Sequence, residues 1–239
     1  MKICLIPLKT MIKDVKKNSE ELERRLIEVS SYKPDLVCFP ECTLTGYLYT
    51  RDDLQKFAEQ FPGKGYDWVS DLAKKYSVNI CFGLLESEAG EYFNTSVVIG
   101  KDGQMIHKQR KISEKFPFSV SQGILDFHFY GKIMRIVICG DLFIKGSTLT
   151  TNRDVFLQIV PMARSFDGVS PDPIRWEKGE KQEYLNAVKA TGIKSAIVNA
   201  LDVCDSSPAF GGAMFVNDHG ELISESPHGT DRMLQFELP

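Results

Sequence analysis

Short, nearly unbroken apolar runs recur along this chain, and they constrain its fold more than any other feature. Lys2–Pro7, Leu36–Phe39, Asn79–Leu85, Phe93–Ile99, Gln104–Lys108, Lys132–Cys139, Val155–Val160, Ser195–Asn199, Ala213–Asn217 and Arg232–Glu237 each read as a strand. Several are continuous Val/Ile/Leu/Cys segments, the pattern of strands buried on both faces. Helical segments alternate with them. Val15, Leu22, Leu26 and Val29 share one face of a helix that Asp14 caps and Pro34 ends. Gly65–Tyr76 and Gly179–Gly192 are shorter helical segments. Gly103 and Gly220 fall in turn-like stretches between strands and predict two hairpins. A β–α–β start followed by hairpins predicts a mixed α/β sandwich with helices on the sheet faces, not a clean doubly wound parallel sheet.

With 239 residues, no Pro/Gly/Ser-rich linker and no internal repeat, the whole chain, 1–239, reads as one domain. Folding a chain of this length removes roughly 70% of its accessible surface from water, so its core needs neither a disulfide nor a structural metal. Hydrophobic residues at 43% and charged residues at 26% exclude a disordered or fibrous chain. Net charge is only -3, with both signs interspersed, so no basic stripe offers itself to nucleic acid. The longest apolar runs, such as Ile80–Leu85, fall far short of the ~20 residues of a membrane-spanning helix. The opening MKICLIPLKTMIKDVKK is too short and too soon charged for a signal peptide. The expectation is a cytoplasmic protein with no nucleic-acid or membrane partner.

Six cysteines are present: Cys4, Cys38, Cys42, Cys81, Cys139 and Cys204. No CxxC occurs, and His107, His128, His219 and His228 are isolated, so zinc-ligand spacing is missing. A cysteine inside an apolar run is ordinarily a small buried hydrophobe. Three polar residues stand where packing does not explain them. Glu41 follows the buried run Leu36–Phe39 through Pro40, at the strand end where α/β folds place ligands. Cys139 ends the run Ile133–Ile138 and is followed by Gly140 and Asp141. A glycine there allows a sharp turn that lifts a thiol out of the sheet, the logic of a nucleophile elbow. Lys111 follows the strand Gln104–Lys108; a lysine beside a thiol lowers its pKa and stabilises an oxyanion.

Together, "PDLVCFPECTLTGY" around Glu41, "QRKIS" around Lys111 and "IVICGD" around Cys139 resemble the nitrilase, or carbon–nitrogen hydrolase, superfamily. The order Glu, Lys, Cys matches, as do the separations of 70 and 28 residues. Downstream, "DVFLQIVPMA", Trp176, "AIVNALD" and "GGAMFVNDHGELISE" also look like family segments, so the resemblance covers nearly the whole chain. It implies a four-layer αββα sandwich, usually paired across subunits as a homodimer or larger assembly. It implies that Cys139 attacks an amide or nitrile carbon, that Glu41 is the general base, and that Lys111 and the Gly140 N–H hold the oxyanion. No metal or organic cofactor is implied. Tyr47, Glu114, Gly140 and Met162 are the substrate-binding candidates, with Glu114 also the nearest match to a supporting second glutamate. Specificity is expected from the loops Glu114–Gly123 and Met162–Pro173.

The chain also departs from the pattern. Gly140 replaces a frequent aromatic, Phe143-Ile144-Lys145 stands where Phe-Pro-Glu often occurs, and "LNAVKATGIK" replaces Arg-Ala-x-Glu-Asn. The reading is a hydrolase of a small linear amide or N-carbamoyl compound that releases ammonia or an amine. Two alternatives stay open: a glutaminase-type ammonia supplier for a separate synthetase, and a non-catalytic binding or assembly module. A cysteine protease using His107 or His128 has no supporting motif, and GxSxG, GxGxxG and Walker loops are missing.

Overall fold

The elements run in the order β1 (Lys2–Leu5), β2 (Lys9–Met11), α1 (Val15–Val29), β3 (Leu36–Cys38), α2 (Arg51–Phe57), β4 (Glu59–Gln60), α3 (Lys64–Tyr76), β5 (Asn79–Glu88), β6 (Glu91–Ile99) and β7 (Met105–Arg110). They continue as β8 (Asp126–Phe129), β9 (Lys132–Ile136), β10 (Leu157–Met162), α4 (Pro173–Arg175), α5 (Lys181–Thr191), β11 (Ser195–Asn199), β12 (Leu201–Val203), β13 (Ala213–Val216), β14 (Leu222–Ser226) and β15 (Leu234–Glu237). This is a computed structural model, and it describes residues 1–121, 123–144, 154–166, 171–203 and 208–239. Lys145, Cys204 and residues 167–170 of the second specificity loop lie outside the described residues.

The strands of the described residues form two large sheets and a two-stranded ribbon, β12-β2. One has the order β15-β1-β3-β5-β6-β7, with β4 added to β5; the other has the order β14-β13-β11-β10-β9-β8. In each, the central pairs are parallel and the flanks antiparallel. The central strands are therefore the ones covered on both sides, as their continuous apolar runs require. Ile3, Leu5, Leu36 and Cys38 of the first sheet meet Ile136, Leu157, Ile159 and Val198 of the second in the middle layer. On the first sheet's other face, Cys4, Val37, Ile80 and Phe82 pack under Leu22 and Leu26 of α1 and Val69 and Leu72 of α3. On the second sheet's other face, Val160, Ile197 and Val216 pack under Trp176, Tyr184 and Val188. The result is the expected αββα sandwich with mixed sheets.

Local signals act as read. Asp14 caps α1 by accepting from the Lys17 N–H at 3.1 Å. The helix ends before Pro34, with Lys33 left-handed at φ 51°. Both predicted hairpins form, β6–β7 around Gly103 and β13–β14 around Gly220. β9 stops at Ile136, three residues short of the predicted end, because Cys139 has φ 47° and cannot continue a strand. The short pair β2–β12 has no apolar run to announce it; the Leu201 N–H bonds to the Leu8 carbonyl at 2.9 Å. Among the described residues, no helix is long and apolar enough to cross a membrane.

Ile159 is fully buried between the sheets, while Ile223 is exposed on β14. Ile159→Ala is expected to lose about 2–5 kcal/mol of unfolding free energy, and Ile223→Ala to stay within about 0.5 kcal/mol of the parent. Urea unfolding of the two variants checks this.

Candidate active site

Glu41 sits on a loop that crosses directly over β5. The crossing is possible because residue 83 is glycine: a Cβ there would lie 2.5 Å from the Cys42 nitrogen and 2.6 Å from the Glu41 Cα. The Gly83 N–H donates to the Pro40 carbonyl at 3.1 Å, and the Thr43 N–H donates to the Gly83 carbonyl at 2.9 Å. This stitching holds a carboxylate at only 2% exposure. Lys111, at 7% exposure, follows β7, and its N–H bonds to the Asn94 carbonyl of β6 at 2.8 Å.

The three sequence-singled groups Glu41, Lys111 and Glu114 meet in one ion cluster. Lys111 Nζ is 2.9 Å from Glu41 Oε1 and 3.1 Å from Glu114 Oε1. Asn94 Nδ2 donates to the same two oxygens, at 2.8 and 2.9 Å. The Tyr47 hydroxyl donates to Glu114 Oε2 at 2.7 Å, and Lys111 Nζ lies 5.4 Å from the Tyr47 ring centre. Among the described residues, the buried Glu41 Oε2 has no hydrogen-bond partner. Burial works against the charge on Lys111, but Glu41, Cys139 and Glu114 outweigh it and hold the ammonium above the ordinary lysine range. Burial keeps the Tyr47 phenol protonated, so it stays a donor.

Cys139 opens a tight 3-10 turn, Cys139–Phe143, beyond β9. The strained residue is Cys139 itself, at φ 47°, and not the glycine after it. Such a conformation costs about 1–3 kcal/mol for a side-chain-bearing residue. Asp141, fully buried, anchors the turn: its carboxylate accepts from the Ser113 N–H at 2.8 Å and the Ile112 N–H at 3.1 Å. The Cys139 turn is thereby tied to the stretch just after Lys111. Burial pushes Asp141 up to about 6, against the donors from Ser113 and Ile112. The space beside Gly140 belongs to Ser113, whose Oγ would stand 3.0 Å from an added Cβ.

Lys111 does pull the Cys139 thiol pKa down, as expected, but it is outweighed. Burial, followed by the Glu41 charge, raises Cys139 to about 12, and the opposing pulls of Lys111 and the Ala163 N–H do not compensate. Cys139 therefore rests as a thiol. Met162 is buried with Val160, Phe166 and Trp176 under the outer helix, in the cluster against which Cys139 packs. Sequence reasoning missed Asn94 and the anchoring role of Asp141. Asn94 lies mid-strand without a motif; Asp141 was visible only as a polar residue following a strand end.

The carbon-nitrogen hydrolase family model matches residues 5–177, and the chain belongs to that family. It is an amidase/nitrilase-type hydrolase. Omega-amidase NIT3 of Saccharomyces cerevisiae is 24% identical over 257 residues, covering 97% of this chain and 84% of that protein. A nitrilase of Pyrococcus abyssi is 30% identical over 157 residues, covering 63% of this chain and 60% of that protein. The structure of a carbon–nitrogen hydrolase superfamily protein from Xanthomonas campestris superposes with a TM-score of 0.82 at 17% identity, covering 99% of this chain and 89% of that one.

A thiol raised to about 12 is protonated below that pH, so its thiolate fraction grows as pH rises. Alkylation of Cys139 in the unliganded protein is expected to accelerate about tenfold per pH unit between pH 7 and 10. Mass-spectrometric counting of the labelled peptide checks it; a plateau beginning below pH 8 contradicts it.

Proposed function

We propose that the protein hydrolyses the terminal carboxamide of a small linear molecule through a thioester on Cys139. The observation that carries this reading is the buried Lys111–Glu41 contact at 2.9 Å, with the other Glu41 oxygen unpaired. A lone buried carboxylate oxygen is costly unless something arrives to use it. In the proposed sequence, Glu41 takes the Cys139 proton as sulfur attacks the amide carbon. The same proton passes to the leaving nitrogen, and ammonia departs. Glu41 then takes a proton from water, whose oxygen attacks the thioester; carboxylic acid leaves and the thiol is restored.

Lys111 has three N–H donors, two of them engaged by Glu41 and Glu114. The third is available to the developing oxyanion, together with the Gly140 N–H; one such donor is worth roughly 3–4 kcal/mol in other hydrolases. Glu114 supports this arrangement from a distance: it shares Lys111 and Asn94 with Glu41, and Tyr47 fixes it. The preference for a terminal amide over a nitrile rests on the omega-amidase relative that spans most of the chain.

The test is ammonia release from a panel of aliphatic amides, ω-amido acids, N-carbamoyl amino acids and simple nitriles. Cys139→Ala is expected to abolish release. Glu41→Gln is expected to lower kcat/KM by about 10²–10⁴-fold, and Lys111→Met by about 10²–10³-fold. Release that survives Cys139→Ala, or a correctly folded protein with no turnover on the whole panel, overturns the proposal.

A further inference from the structure

Asn94 is buried in the ion cluster, yet the mechanism above gives it no task of its own. It stands on β6 opposite Leu85 of β5, one strand in from β7, whose end delivers Lys111. Its side-chain nitrogen carries two hydrogens, and each has an oxygen to meet: Glu41 Oε1 at 2.8 Å and Glu114 Oε1 at 2.9 Å. Lys111 Nζ meets the same two oxygens, at 2.9 and 3.1 Å. The two carboxylates therefore face one another across two shared donors. Only the nitrogen side of the amide suits that place, since Oδ1 would repel both carboxylates. Oδ1 instead faces Cys42 Sγ at 3.9 Å, and burial keeps that thiol protonated, so it stays a donor.

Two carboxylates that converge in a buried space have an alternative to two full charges. One takes up a proton and shares it with the other. A glutamate that already holds a proton cannot take one from Cys139. Lys111 supplies one positive charge against two negative ones. Asn94 adds no charge, but its two N–H groups bond to the ionised oxygens and occupy the place of a shared proton. Hydrogen bonds to the charged form favour that form. They also pin Glu41 by Oε1, which leaves Oε2 without a partner among the described residues. The other groups that feel the Glu41 charge do not substitute. Burial retains the protons of the Tyr47, Tyr49 and Tyr184 phenols and of the Cys42 and Cys139 thiols. Asp202, which burial raises to about 7, accepts from the Ala209 N–H. Asp141, beyond Cys139, is turned to Ile112 and Ser113.

We propose that Asn94 is the positioning residue that keeps Glu41 free to act as a base, by holding Glu41 and Glu114 as two separate carboxylates on one amide nitrogen. The inference rests on the hydrolase reading, which gives Glu41 its role, and deepens it.

Asn94→Leu keeps the bulk of the side chain and removes both donors; Asn94→Ala removes them without crowding. In either variant the acid limb of kcat/KM is expected to move up by about one pH unit or more, with kcat falling and KM staying within about twofold of wild type. Adding Glu114→Gln removes the second negative charge and is expected to return the limb to its wild-type position. Activity lost by one factor at every pH, with the limb unmoved, assigns Asn94 a structural role and overturns the inference. So does a shift that Glu114→Gln does not reverse. Infrared difference spectra give a readout without substrate. Near pH 7, Asn94→Leu is expected to gain a protonated-carboxyl C=O band over wild type, and Asn94→Leu with Glu114→Gln to lack it; Asp141 and Asp202, present in every protein compared, cancel. That band in a protein that releases no ammonia from any amide supports the role of Asn94 in the cluster and sinks the hydrolase reading. No gain of the band sinks the role of Asn94, whether or not amides are hydrolysed.

Discussion

One ammonium shared between two buried carboxylates sets the terms for the rest of this molecule. Lys111 holds Glu41 and Glu114 at hydrogen-bond distance where water is nearly excluded. Removing one member of such a group leaves uncompensated charge, at a cost of about 3–5 kcal/mol for a simple buried pair. The cluster survives because every neighbour supplies a matching group. Asn94 donates to both carboxylates, and Tyr47 donates to Glu114. What remains unmatched in the cluster, among the described residues, is one Glu41 oxygen, and it is the atom for which the proposed chemistry has a use.

Two backbone devices bring the cysteine to this cluster. Gly83 lets the Glu41 loop lie flat on β5, a contact any side chain would prevent. Asp141 grips the N–H groups of Ile112 and Ser113, so the turn that begins with Cys139 cannot drift from the segment that follows Lys111. The strain at Cys139 is thus held by a buried hydrogen-bonded anchor, not by the glycine beside it. The same burial that stiffens the site keeps the thiol protonated, which is why the proposed mechanism needs a base with a free oxygen.

Much of this was legible beforehand. Continuous apolar runs such as Ser195–Asn199 need cover on both faces, and Asp14 and Gly192 punctuate helices by local chemistry alone. Glu41, Lys111 and Cys139 were each visible as polar residues ending a strand. Less legible were features whose cause lies across the fold. β2 and β12 are too short to carry periodicity and exist because each completes the other's hydrogen bonds. Asn94 reads as an ordinary strand residue until β7 places Lys111 beside it.

The sequence by itself determined the layered α/β class and singled out the three residues to which the proposed chemistry is assigned, because hydrophobic periodicity and strand-end position act over a few residues. Only the tertiary structure decided the protonation of Cys139, the pairing of Lys111 with two carboxylates and, among the described residues, the isolation of one Glu41 oxygen. Those properties depend on desolvation and on distant partners such as Glu41, 70 positions before Lys111, and neither is written in any local pattern.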